Sequence, residues 1–237
     1  MSVIQIEQPA DAVTYHASLA PDWEQRYQKR SFQMRETVLR KCLEGRDLAG
    51  EFWLDAGCGT GTLSRWLAAR GCRVLGVDAA PEMVIRATQL AGSHSYFDQL
   101  KFAGVDTIAN VAVGDSSLDS VLCSSVLEYV PDPSACLTEF ARILKPGGLL
   151  LVSVPNRHSV VRSTQLACHR VGALLGTGWF KFLDYSCQQY SQREFKGLLA
   201  GAGFSLEKSL PFGSPFPRLA QRSRRWGSLL MFIAHKS

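Results

Sequence analysis

The chain has 237 residues, 46% of them apolar and 20% charged, with a formal net charge of +5. That length suits one α/β domain, and the apolar content excludes an intrinsically disordered chain. The basic residues are spread along the sequence rather than gathered into one stripe, which argues against a nucleic-acid surface; the exception is the acid-free stretch from Lys208 to Ser237, where Arg218, Arg222, Arg224 and Arg225 crowd together. In chain order, the opening MSVIQIEQPADAV lacks the basic region and apolar core of a leader. Ser31 to Leu43 follows with apolar residues at Phe32, Met34, Val38, Leu39 and Leu43, a helical recurrence that predicts an N-terminal cap. Phe52 to Leu54 reads as a strand running into the glycine-rich DAGCGTG, and Leu63 to Ala69 as the next helix. Arg73 to Val77 is a second strand ending at Asp78, and Pro81 suits the first turn of a helix over Glu82 to Leu90.

Further along, Asp119 to Cys123 predicts a strand, Pro133 to Leu144 a helix, and Leu149 to Val154 a strand after the turn Pro146-Gly147-Gly148. Strands alternating with helices predict a mostly parallel sheet covered on both faces. Ser159 to Phe182 is a mixed segment, Ser191 to Ala200 a helix, and Phe204 to Leu210 with Leu229 to His235 a closing antiparallel pair. The expected class is therefore α/β, a Rossmann-like, mostly parallel seven-stranded sheet with an antiparallel C-terminal strand. One domain is expected over 1–237: a helical cap (1–50), a core of alternating strands and helices (51–155), an insert (156–190), and a C-terminal helix with closing strands (191–237). No run approaches the roughly 18 apolar residues of a spanning helix. Together with the missing leader pattern this predicts a cytoplasmic protein, and seven cysteines, an odd number without zinc-like spacing, predict reduced thiols.

The glycine loop carries the first functional signal. Gly57, Gly59 and Gly61 stand between a strand and a helix, where missing side chains let the main chain turn sharply against a ligand. A dinucleotide fingerprint wants a third glycine where Thr62 stands, and a phosphate loop wants a Lys followed by Ser or Thr that is absent. The second signal is Asp78, whose carboxylate can accept hydrogen bonds from both hydroxyls of a ribose; the competing role is capping the helix near Pro81.

Together these residues resemble the class I S-adenosylmethionine-dependent methyltransferases, and the likeness runs from about Trp53 to the C-terminus. Asp55-Ala56-Gly57-Cys58-Gly59-Thr60-Gly61 resembles that family's acid-x-G-x-G-x-G loop, CSSVLEYVPDP (Cys123 to Pro133) its segment after the fourth strand, and Leu144-Lys145-Pro146-Gly147-Gly148 its turn into the fifth. The resemblance implies S-adenosylmethionine as cofactor, with S-adenosylhomocysteine as product. It implies Asp55 near the methionyl ammonium, Gly57, Cys58, Gly59 and Gly61 beneath the ligand, Asp78 and Ala79 at the ribose, and Met83 near the adenine. Val105 and Asp106 are the candidates for the adenine contact, with Gly114-Asp115 as a competing alignment, and Ser124 closes the donor-side set. The chain is most similar to the ubiquinone-biosynthesis type of O-methyltransferase and its small-molecule relatives. By that likeness Arg35 matches an arginine contacting the methionyl carboxylate, and Tyr15 and Tyr27 are candidates to close over the ligand.

One departure is informative. Where that subgroup places acidic and histidine metal ligands after the fourth strand, this chain has Ser125, Glu128 and Tyr129, and Glu128 alone cannot hold a divalent ion. Metal-independent chemistry is expected. For an oxygen acceptor, His16 and His158 are the candidate bases, with Tyr129 facing the acceptor. Trp179, Phe180, Phe182 and Tyr185, interspersed with Arg157, Arg162, Arg170 and Lys181, make the insert suited to an apolar or anionic small molecule, or to peripheral contact with a membrane. A monomer or homodimer is expected, with no nucleic-acid partner, since the Asn/Asp-Pro-Pro-aromatic run of exocyclic-amine methylation is replaced by Ser124-Ser125-Val126-Leu127. N- or C-methylation of a small metabolite, a synthase using a modified adenosyl donor, and a non-catalytic ligand-binding module remain as alternatives.

Overall fold

The computed structural model describes residues 10–28, 30–92, 97–177, 179–213 and 223–237. His94, Arg218 and Arg222 lie outside the described residues, as do the first nine residues on which the expected absence of a leader partly rests. Seven strands form one sheet: β1 (Phe52–Ala56), β2 (Arg73–Asp78), β3 (Leu100–Gly104), β4 (Leu118–Ser124), β5 (Leu144–Pro155), β6 (Phe204–Phe212) and β7 (Leu229–Lys236). Their order is β3-β2-β1-β4-β5-β7-β6. The first five are parallel, while β7 inserts between β5 and β6 and runs antiparallel to both. The order reverses between β1 and β4, and in open α/β sheets ligands collect at the carboxyl ends of the strands beside such a reversal.

The pattern of burial explains the layers. Along β1, Trp53 joins one apolar cluster with Leu67, Leu122, Leu151 and Met231, while its neighbour Leu54 joins the other with Val121, Phe140, Phe195 and Phe232. Both faces are covered, so the central strands are near-continuous apolar runs rather than alternating ones. Helices α4 (Thr62–Ala68), α5 (Pro81–Ala91), α6 (Pro133–Ile143) and α8 (Gln192–Gly201) provide the crossovers. Asp132 caps α6 by accepting from the backbone of Ser134 and Ala135, with Pro133 in the first turn. Ser191 and Glu194 close a reciprocal capping box on α8.

Two expectations need correction. The helical cap is three helices, α1 (Ala10–Leu19), α2 (Trp23–Tyr27) and α3 (Arg30–Cys42), of which only the last was marked by periodicity. The first is short and rich in Ala, Ser and Thr, and its apolar residues serve local packing against α5 rather than a broad core. The third strand, β3, had no signal of its own, because LKFAG is short and lies at the sheet's edge, half-exposed. In the insert, α7 (Val160–Leu174) precedes an irregular stretch that returns to the sheet through an isolated bridge between Asn156 and Tyr190. Among the described residues, no helix is long and apolar enough to cross a membrane.

Candidate active site

The glycine loop leaves β1 at the point where the sheet reverses. The backbone N–H groups of Gly57 and Cys58 both donate to the Val77 carbonyl, at 2.8 and 2.9 Å, which ties the loop to the end of β2. Gly57 and Gly61 both have positive φ (73° and 75°), a left-handed backbone that side-chain-bearing residues adopt at a cost. There is no room for them to change: a Cβ on Gly57 would stand 2.3 Å from a Val126 methyl, and one on Gly61 would stand 2.4 Å from the Phe102 ring. The loop is thus clamped between the segment after β4 and the β3 strand.

Asp78 faces this loop. Its Oδ2 accepts from the Gly59 N–H at 2.8 Å and its Oδ1 from the Ala80 N–H at 2.9 Å. Helix α5 has Ala80 at its cap without a side-chain bond, so Asp78 is not the cap that competed with the ribose role. Burial raises its pKa against those two backbone donors, and each oxygen keeps a lone pair for a further hydroxyl. Asp55, fully buried at the end of β1, accepts from Ser64 Oγ at 2.5 Å. Its carboxyl is pushed up to about 7, first by burial and then by the nearby Asp78 charge, against the Ser64 hydrogen bond. Such a group is poised to ionise when a cation arrives.

The N-terminal helices close over this edge. Glu24 on α2 accepts from Thr60 Oγ1 at 2.7 Å and pairs with Arg65, whose other nitrogen donates to the Thr60 carbonyl. Trp23 lies against Gly59, its indole nitrogen 3.2 Å from where a Cβ would stand. Ala20 packs with Ala80 and Met83 in a small apolar cluster. His16 sits edge-on to Tyr129, ring centroids 4.8 Å apart, and within reach of the Asp78 charge. Its Nδ1 is 2.6 Å from the Ala12 carbonyl. A carbonyl only accepts, so Nδ1 carries the hydrogen and Nε2 holds the free lone pair. Burial lowers the pKa of this histidine, which keeps it neutral near pH 7.

Beyond His16 lie α3, the turn after β4 and the insert. Arg35 stacks on Phe32 and donates weakly to Ser125 Oγ at 3.4 Å, while its Nη1 is buried without a partner. Ser125 has a φ of 60°, a strained conformation for a serine at the turn after β4. Glu128 is buried against Arg162 and Ser186, and the Tyr15 ring stacks on Tyr185 at 4.6 Å. Burial raises the Tyr27 and Tyr129 hydroxyls far above their ordinary range, so both remain neutral donors.

The structure brings most of the sequence candidates together. Asp55, Gly57, Cys58, Gly59, Gly61, Asp78, Ala79 and Met83 surround one edge; Val105 joins them through its N–H to the Asp78 carbonyl at 3.1 Å, with Asp106 exposed beside it. The competing Gly114-Asp115 lies before β4, at the opposite ends of the strands, with Asp115 paired to Arg142. Ser124 ends β4 with its hydroxyl 3.4 Å from that of Ser153. Tyr27 lies within electrostatic reach of both Asp55 and Arg35, whereas Tyr15 stacks on the insert. His158 is exposed and joins none of these contacts. Trp23, Glu24, Ser64, Arg65 and Ser186 were missed. Ser64 had a signal in standing just past the glycine loop, in the first turn of the helix that follows; Glu24 had none, since its partners are 36 or more residues away. A surface depression lined by Arg40, Arg46, Trp66 and Arg70 lies at the amino ends of β1 and β2, away from this chemistry. Among the described residues, no three His, Cys, Asp or Glu side chains cluster as metal ligands.

A glycine loop at the sheet's reversal, gripped by an acid at the end of the neighbouring strand, defines a Rossmann-like protein built for a nucleoside-bearing ligand. The chain belongs to the methyltransferase domain family, whose model matches residues 23–209. It is 43% identical over 112 residues to a ubiquinone biosynthesis O-methyltransferase of Xanthomonas oryzae pv. oryzae, covering 47% of this chain and 46% of that one. It is 33% identical over 162 residues to the protein of that name from Xanthomonas euvesicatoria pv. vesicatoria, covering 68% and 65%. The matches thus span between about half and two thirds of those relatives. Among solved structures, a putative methyltransferase in complex with the Haloferax volcanii Trm112 activator superposes with a TM-score of 0.70 at 23% identity, covering 93% of this chain and 97% of that one. The magnesium protoporphyrin IX methyltransferase of Synechocystis PCC 6803, solved with bound SAH, superposes with a TM-score of 0.68 at 22% identity, covering 94% and 97%. These two likenesses bear on the fold.

Proposed function

We propose that the protein transfers a methyl group from S-adenosylmethionine to the hydroxyl of a small aromatic acceptor, without a resident metal. The observation that carries this is the pairing of a clamped glycine loop with Asp78 at the reversal of the sheet, in a chain of the methyltransferase family. The residues fit the donor. The clamped Gly57 to Gly61 backbone carries no side chain at its three glycines, Asp78 keeps acceptor capacity for ribose hydroxyls, Asp55 answers an ammonium, and the orphaned Arg35 Nη1 answers a carboxylate. Met83, Val105 and Asp106 would hold the adenine.

When bound, S-adenosylmethionine supplies a methyl carbon already activated by a sulfonium leaving group. What remains for the protein is to align the acceptor oxygen and remove its proton. His16 Nε2 accepts that proton, since its Nδ1–H is held by the Ala12 carbonyl and burial keeps the ring neutral. Tyr129, neutral and edge-on to His16, orients the acceptor, and the cap of α1 and α2 excludes water from the step.

Calorimetric titration with S-adenosylhomocysteine, followed by a screen of phenols for S-adenosylmethionine-dependent methylation, tests this. Micromolar binding and turnover of a phenol that His16→Ala suppresses are expected; a protein that binds no adenosyl ligand overturns it. The seven unpaired thiols support a cytoplasmic location. A peripheral membrane contact is supported by exposed Leu174 (87%), Leu175 and Trp179 beside Arg170 and Lys181, and co-sedimentation with anionic vesicles tests it.

A further inference from the structure

One buried guanidinium pairs with a buried carboxylate on the acceptor side, and a second acts on it from further off. Arg162 and Glu128 are each 3% exposed, with Nη2 and Oε2 3.4 Å apart. Ser186 bridges them, its hydroxyl accepting from Arg162 at 2.7 Å and donating to Glu128 at 3.1 Å. Arg35 acts on the same Glu128 and on Tyr129, as Arg162 does, so the four side chains form one electrostatic cluster. Two cations face a single anion whose charged form burial already disfavours.

The hydrogen-bond inventory is likewise incomplete. Arg162 Nε is buried with no partner, and so is Arg35 Nη1. A buried N–H left unmade is costly, so each one in a native structure calls for a partner, and a bound ligand is one that can supply it. The donor's carboxylate accounts for Arg35 in the function proposed above, on which this inference rests. It does not account for Arg162, which α7 carries over the Phe182 ring at 5.4 Å. Nearby stand the Tyr15–Tyr185 stack and the His16–Tyr129 pair, faces and edges suited to a flat ring.

We propose that Arg162 is a specificity residue for the acceptor, and that the acceptor class is a hydroxyarene carrying a carboxylate, which takes the free Arg162 Nε–H while the ring lies among Tyr15, Tyr129 and Tyr185. A guanidinium already oriented by Glu128 and Ser186 presents that N–H in a fixed direction, which an ammonium on a flexible stem does not.

The test uses the full-length protein saturated with S-adenosylhomocysteine, titrated calorimetrically with 2-, 3- and 4-hydroxybenzoate and with the three matching hydroxybenzamides. At least one acid is expected to bind ten-fold or more tightly than its amide, and Arg162→Lys is expected to reduce that preference to about two-fold without changing affinity for S-adenosylhomocysteine. Because Arg162→Met alone leaves Glu128 buried and unpaired, the double variant Arg162→Met with Glu128→Gln removes both charges together, and it should bind acid and amide alike. If no acid is preferred by the wild-type protein, or if the preference survives in Arg162→Lys and in the folded double variant, the inference is overturned. A wild-type protein that fails to bind S-adenosylhomocysteine overturns the methyltransferase function instead, so the two failures are distinguishable.

Discussion

The two halves of the site are built from different materials. On the donor side, backbone does the holding: positive-φ glycines, the Gly57 and Cys58 N–H groups tied to the Val77 carbonyl, and the Gly59 N–H on the Asp78 carboxylate, all within residues 55–80. On the acceptor side, side chains do it, and they come from far apart: His16 and Tyr15 from α1, Ser125 to Tyr129 from the turn after β4, and Arg162 to Ser186 from the insert. A backbone cradle recognises what every donor molecule shares, whereas a side-chain wall can be rewritten one residue at a time. The contrast predicts that donor binding fails sharply when a single loop or acid residue is altered, and that acceptor choice shifts gradually.

The largest effect should come from Asp78→Ala. Two charge-assisted hydrogen bonds to ribose hydroxyls contribute about 1.5–3 kcal/mol each, so S-adenosylhomocysteine affinity should fall by roughly 10²–10⁴-fold in calorimetry. Part of that loss reflects the Gly59 N–H, which would lose its acceptor as well. An Asp78→Ala variant that binds normally would move the ribose elsewhere and break the comparison at its root.

On the other side, His16→Ala should lower kcat/KM for a phenol by about 10²-fold while leaving donor affinity nearly intact. The diagnostic readout is the pH profile. A base must be unprotonated to act, so wild-type activity falls as pH drops through the His16 pKa, which burial sets below 6.5, and the variant should lack that limb. Gly57→Ala ranks next and acts on folding. A left-handed backbone costs a side-chain-bearing residue about 1–2 kcal/mol, and the Val126 clash adds about as much, so chemical denaturation should register a loss of about 2–4 kcal/mol.

These expectations rank the site much as its legibility in the sequence does. The donor half could be read directly, because a glycine spaced for a turn and an acid ending a strand are local features, and the structure places Asp55, Asp78 and the loop on one edge. Deciding between Val105-Asp106 and Gly114-Asp115 needed the position of β3, a strand too short and too exposed to declare itself. Nor could spacing reveal that Glu24 on α2 grips the glycine loop, or that Arg162 meets Glu128 across 34 residues, since such pairs exist only once the sheet is assembled. The histidines show the limit most clearly: five were available, and only burial and ring contacts single out His16.

Asp55 offers a finer test of the donor side. An ammonium arriving beside a carboxyl with a pKa of about 7 favours its ionised form, so donor affinity should tighten several-fold between pH 6 and pH 8, with proton release in calorimetry. Asp55→Asn should bind more weakly at pH 8 and lose most of this slope; any slope that remains belongs to the ligand's own amino group. Stability should move the other way. The unfolded chain ionises Asp55 near 3.8 and the folded one near 7, so the group's contribution to stability declines as pH climbs from about 4 to 7, and Asp55→Asn should flatten that decline.

The smallest effect is expected at His158, and it is the most direct check on the division of labour. This residue follows β5 at the edge where ligands collect, and by chain position it rivals His16 as a base. Its backbone N–H is used by Asn156 Oδ1 at 3.1 Å, but its ring is exposed and meets neither Tyr129 nor the insert's buried cluster. A base in open solvent gains nothing from exclusion of water and has no neighbour to fix which nitrogen carries the hydrogen. His158→Ala should therefore leave kcat/KM within about two-fold and preserve the acid limb of the pH profile. A ten-fold loss with that limb abolished would place proton removal on the insert, and the wall around His16 would then serve only to cover the donor.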